Sequence, residues 1–160
     1  MIGAIPNPTR ELTVPFANEQ VQTAMSNLSK FLIGTDVGNY VQQDYDSVLG
    51  QLELSKTEFL SLGVSILVTS NSVNENQTKI NIEVRRQVGS FDKSYEVSEA
   101  KRHLDKVVKG LSTLLSNPNA IDEISEETVQ ENSDKATSKS VGGFVLAAIA
   151  MVIYFVAVMA

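Results

Sequence analysis

Residues 141–160 contain no Asp, Glu, Lys or Arg. A helix of that length rises about 30 Å, which matches the hydrocarbon core of a bilayer, and it closes its own backbone hydrogen bonds where lipid offers no partner. Val141, Phe144, Val145, Leu146, Ile149, Val152, Ile153, Phe155, Val156 and Val158 each favour insertion by roughly 0.3 to 0.6 kcal/mol near the bilayer centre, so their sum is several kcal/mol. The run therefore predicts one transmembrane helix. Gly143 and Ala147 form a small-xxx-small pair within it, which suits close packing against a second helix. No acidic or basic residue interrupts the run, so the usual mark of an ion path is missing from it.

Orientation is expected from flanking charge. Lys135 and Lys139 lie on the N-terminal side of the run, and positive-inside reasoning puts the preceding domain in the cytoplasm. The opening Met1–Pro6 has no basic n-region and no long apolar core, which agrees with that orientation and with a tail-anchored arrangement.

Charge is partitioned along the rest of the chain. Residues 1–78 carry eight acids and three bases, 79–116 carry five acids and eight bases, and 117–140 carry six acids and two bases, giving the net −6. That acidic total argues against general nucleic-acid binding. Cysteine is absent, which excludes disulfides, thiolate catalysis and cysteine-ligated metal centres.

Ahead of the acidic stretch the hydrophobic pattern alternates between two periods. Leu12, Val14 and Phe16 read as a short strand, with Pro15 suited to an edge or an end. Asn18 is placed to cap a helix whose stripe is Val21, Ala24, Met25, Leu28, Phe31 and Leu32, with Gly34 as the stop. Residues 35–47 are ambiguous, with a strand near Tyr40 to Tyr45. Period two returns at Val48, Gly50, Leu52 and Leu54, at Leu62, Val64, Ile66 and Val68, and at Ile80, Ile82 and Val84. Asn71–Gln77, rich in turn formers, reads as a long loop joining the last two of these strands. After Gly89, Ser98 is placed to cap a second helix with the stripe Ala100, Leu104, Val107, Val108, Leu111, Leu114 and Leu115, ended by Asn117-Pro118.

The expected fold is α+β: an antiparallel sheet with two packed helices in β-α-β-β-β-α order over residues 1–118, then a flexible acidic tether over 119–140, then the transmembrane helix. As a free coil the tether spans roughly 25 Å r.m.s.. Ile121, Ile124 and Val129 offer the alternative of a short helical segment there. The succession over residues 10–116 resembles the helix-grip proteins of the START and Bet v1 type, or the smaller TATA-binding-protein-like sheet. The helix-grip resemblance implies an apolar ligand cavity.

Chemistry-bearing constellations are sparse. His103 is the only histidine and lies beside the apolar stripe, which reads as a boundary residue with its polar tip near solvent. Asp44 and Asp46 share a strand face, which makes two ligands and a solvated acidic patch rather than a cation site. No phosphate loop, dinucleotide fingerprint or nucleophile elbow is present. No catalytic residue, metal or cofactor is therefore expected. The basic residues Arg102, Lys106 and Lys109 on one side of the second helix, with Arg85 and Arg86 ending a strand, are the candidate contact for an acidic partner or for lipid headgroups. Two functions follow as expectations. The first is a non-enzymatic, single-pass interaction or scaffold module with a protein partner or a second copy of itself. The second is a membrane-tethered binding domain for a lipid or other apolar small molecule.

Overall fold

The computed structural model describes residues 6–35, 40–56, 63–86, 94–124, 128–132 and 134. Leu62, Gly89 and the whole run 141–160, with Gly143 and Ala147, lie outside the described residues. Among the described residues no helix is long and apolar enough to cross a membrane.

The chain is an α+β fold. Five antiparallel strands, β1 (Thr9–Val14), β2 (Tyr40–Asp46), β3 (Gln51–Lys56), β4 (Val64–Asn74) and β5 (Gln77–Arg86), stand in the order β1-β5-β4-β3-β2. Helices α1 (Asn18–Thr35) and α2 (Ser94–Ser116) pack together over one face. Leu52, Leu54, Ile66, Val68, Ile80, Ile82 and Val84 alternate inward from the three central strands and meet Val21, Met25 and Leu28 of α1 and Ala100, Val107 and Leu111 of α2, all essentially inaccessible. Each such aliphatic side chain contributes about 1.5–3 kcal/mol of transfer free energy. The outward face is polar. There Ser65 Oγ donates to Glu53 Oε1 at 2.7 Å, and Lys79 pairs with Glu11 at 2.9 Å.

Several local expectations need correction. The α1 cap sits one residue early, because Ala17 O accepts from Gln20 N and Val21 N while Gln20 Oε1 accepts from Ala17 N. This is half of a capping box built on a glutamine, with Asn18 already inside the helix. Val48 and Leu49 do not belong to a strand; they form the β2–β3 turn, held by Asp46 Oδ1, which accepts from Val48 N at 2.8 Å and Leu49 N at 2.9 Å. The expected long loop over Asn71–Gln77 is a two-residue turn at Glu75-Asn76, since β4 and β5 stay paired out to Asn74 and Gln77. Asn74 fixes it, its Oδ1 accepting from Asn76 N and its Nδ2 donating to Gln77 Oε1, each at 3.0 Å. Helix α2 begins four residues before Ser98. The ambiguous stretch supplies a fourth partner strand, β2, which is interrupted by a bulge between Gln42 and Asp44.

The acidic stretch does not leave the domain at residue 119. Pro118–Ile121 forms a 3-10 turn with Ala120 buried, Ile121 and Ile124 pack on the core, and residues 128–132 are helical. Ile124 contributes to this by packing on Gly34 of α1.

Candidate functional site

The two ends of the sheet differ in chemistry. Register pairs Tyr40 with Lys56, Lys56 with Val64, and Val64 with Arg86. These four stand in one row across four strands, in step with the inward residues Leu54, Ile66 and Val84. An aliphatic core would place four apolar side chains there. Instead the row holds a phenol, an ammonium and a guanidinium around one valine.

Helix α2 lowers His103 onto this row. The histidine follows Ala100 by three residues and precedes Val107 by four, so it shares their buried face. It is fully buried, and so is Tyr40. The Tyr40 hydroxyl and His103 Nδ1 are hydrogen-bonded at 2.9 Å, with the rings edge to face at 5.8 Å between centroids and 76° between planes. The Lys56 ammonium sits 4.7 Å from the centre of the Tyr40 ring, a cation–π arrangement. Ser29 Oγ of α1 donates to Tyr40 O at 2.7 Å, which ties the start of β2 to the helix. The expectation of a half-exposed His103 is therefore wrong. Its place three residues from Ala100 in the stripe was the signal for burial, and Tyr40 gave no sequence signal because its partner is 63 residues away.

The structure divides the predicted basic cluster. Arg86 is half-buried on the helix-covered face, whereas Arg85 is exposed on the opposite face and bonds Glu83 at 3.0 Å. That hydrogen bond holds the Glu83 carboxyl below the ordinary glutamate range; burial opposes it and Asn7, whose Nδ2 lies 3.2 Å away, adds to it. Arg85 in turn is pushed up, chiefly by Glu83. Arg102, Lys106 and Lys109 do share one side of α2, but Arg102 is paired with Glu99, and the adjoining Asp105 pairs with Arg10 at 3.6 Å. The sheet thus separates Arg85 from the other four, which lie on its helix-covered side. Asp46 is accounted for by its turn.

A cleft of about 150 Å³ lies between α1 and the end of α2, lined by Gln20, Thr23, Ala24, Asn27, Leu114, Leu115 and Pro118. Ligand pockets usually hold roughly 300–1,000 Å³, so this cleft is undersized for one.

No protein-family model matches the chain, and no curated protein matches it in sequence. Solved structures do resemble it. An uncharacterized protein from Bacillus thuringiensis superposes with a TM-score of 0.52 at 6% identity, covering 69% of this chain and 99% of that one. The di-domain ARO/CYC BexL from the BE-7585A biosynthetic pathway superposes with a TM-score of 0.50 at 9% identity, covering 72% of this chain and 47% of that one. The chain thus spans about half of BexL. At these identities the likeness is one of fold.

Proposed function

We propose that this chain is a membrane-tethered binding domain for an apolar small molecule carrying an anionic group, such as a fatty carboxylate, and that it performs no chemistry on that molecule. The carrying observation is the inward row Tyr40, Lys56, Val64 and Arg86, with the buried Tyr40–His103 hydrogen bond over it. Two cationic side chains and a phenol on the core register weaken the interior as a packing unit and equip it for recognition. Lys56 and Arg86 supply positive charge for a carboxylate head, and Tyr40 and His103 orient it. Tethering rests on residues 141–160, and placement of the domain in the cytoplasm rests on Lys135 and Lys139.

Native mass spectrometry of the full chain, released from detergent after incubation with oleate, tests this. A one-to-one adduct is expected, lost in Lys56→Met and kept in Lys109→Met. No adduct on the wild-type chain removes the reading. The scaffold expectation draws on the α2 side bearing Arg102, Lys106 and Lys109; a pull-down with and without residues 141–160 that returns a stoichiometric protein partner in both forms would favour it instead.

A further inference from the structure

The segment after α2 carries the chain back to the polar end of the sheet. It leaves Pro118 beside the first half of α1, where Pro118 shares the cleft with Gln20 and Thr23. Ile124 then lies on Gly34 near the end of α1, so close that a Cβ on Gly34 would overlap Ile124 Cγ2. Asn132 Nδ2 donates to Ile33 O at 3.0 Å and to Gly34 O at 3.4 Å. These are among the carbonyls that a helix leaves without an internal donor at its C-terminus. The end of α1 adjoins the start of β2, since Ser29 bonds Tyr40 O. The described residues 118–124 and 128–132 therefore strap back along α1, the last of them at the Tyr40 end of the fold.

Chain length turns this into an orientation. Seven peptide steps separate Asp134 from Val141, a reach of at most about 25 Å fully extended. Strand β4 runs 11 residues away from the Val64 row to the opposite tip, a distance of about 35 Å. The end from which the chain departs toward residue 141 is also the end that carries Lys56 and Arg86, with Lys30 on the adjoining stretch of α1. The far end carries Glu19, Asp46 and Glu75. Acids accompany these bases, with Asp36, Glu58 and Asp92 in the segments that join the elements at this end and six acids against two bases over 117–140, so charge does not choose the orientation; chain reach does.

We infer that the domain docks on the bilayer surface with its Tyr40–Lys56–Arg86 end facing the headgroups. The inference rests on the tethering half of the proposed function and is independent of whether oleate binds.

Because the chain has no cysteine, single labels are clean. Val41 at the polar end and Val48 at the turn end are both exposed. Val41→Cys and Val48→Cys, each carrying bimane, are reconstituted as full chains in phosphatidylcholine–phosphatidylglycerol vesicles containing a headgroup-nitroxide lipid. Quenching severalfold stronger at position 41 than at 48 is expected. Insertion of a long Gly-Ser segment after Asp134, beyond the last strap contact, is expected to bring the two toward equality. Equal quenching in the parent chain, stronger quenching at 48, or a ratio unmoved by the insertion overturns the inference. Absence of quenching at both positions overturns it together with the tether, whereas loss of the oleate adduct alone leaves it standing.

Discussion

The two ends of the sheet are held by different kinds of interaction. At the turn end the backbone is pinned: Gly50 adopts φ +60°, its carbonyl accepts Ser70 N at 2.7 Å, and Asp46 gathers two amides. At the other end the strands carry Tyr40, Lys56 and Arg86 on the core register, under His103. Turn chemistry of the first kind is mostly backbone bonding, from an aspartate to amides two and three residues on and from Gly50 to the neighbouring strand. Polar side chains of the second kind cost desolvation and are satisfied only by partners distant in sequence. A fold that spends stability at one end and secures it at the other has a division between scaffold and site.

That division is open to attack by substitution, and the largest effect is expected at the turn end. Gly50→Val places a β-branched residue in the left-handed region, and its Cβ would stand 2.6 Å from Ser70 O. Backbone strain and overlap together are expected to remove about 3 kcal/mol of unfolding free energy, read by urea titration of the full chain in detergent; a loss under about 1 kcal/mol would mean that the turn is not pinned. Tyr40→Phe removes the hydroxyl facing His103 Nδ1 and is expected to cost about 1–2 kcal/mol. The same variant should weaken the oleate adduct, whereas Gly50→Val, at temperatures where it stays folded, should not. Reversal of that pattern would erase the distinction between the ends.

A smaller effect is expected for Asp46→Ala, about 1 kcal/mol, because Val48 N and Leu49 N are exposed and water replaces the carboxylate. The smallest concerns Glu83 on the outward face. Its folded-state pKa is depressed, so its contribution is present above the ordinary glutamate value and is lost as pH falls through the depressed one. In a carboxyl-detected NMR titration Arg85→Met should move the Glu83 midpoint upward and leave the oleate adduct intact. An unchanged midpoint would show that Arg85 is not its partner in solution.

Much of the architecture was legible because it is periodic. Val21, Ala24, Met25, Leu28, Phe31 and Leu32 read as one stripe and are buried as one stripe in α1. Ile80, Ile82 and Val84 alternate as read. Where the reading failed, local composition competed with pairing: Asn71–Ser72–Val73–Asn74 looks like a loop, yet β5 supplies a partner for nearly all of it, and ladder hydrogen bonds override weak strand propensity. Val48 failed in the other direction. An apolar residue at a period-two position looks like a strand face, but the aspartate two residues earlier had already started the turn.

The candidate site was barely legible, and the reason is topological. Arg85 and Arg86 look equivalent in sequence, but a strand's alternation sends one to each face of the sheet. Lys56 sits at the end of an unremarkable strand, and its meaning comes from Tyr40 across the ladder. Asn132 looked like part of a tether until its amide was found on the last carbonyls of α1.

The sequence by itself determined the α+β class, the two helix stripes, the inward residues of the central strands and the uncharged run at 141–160, because each is a repeat or a composition readable within one segment. Tertiary structure alone decided that Tyr40 and His103 share a hydrogen bond, that Lys56 and Arg86 stand in one row while Arg85 does not, and that the acidic stretch straps back to α1. Those facts depend on strand register and helix docking, which bring residues tens of positions apart within bonding distance, and no local period records them.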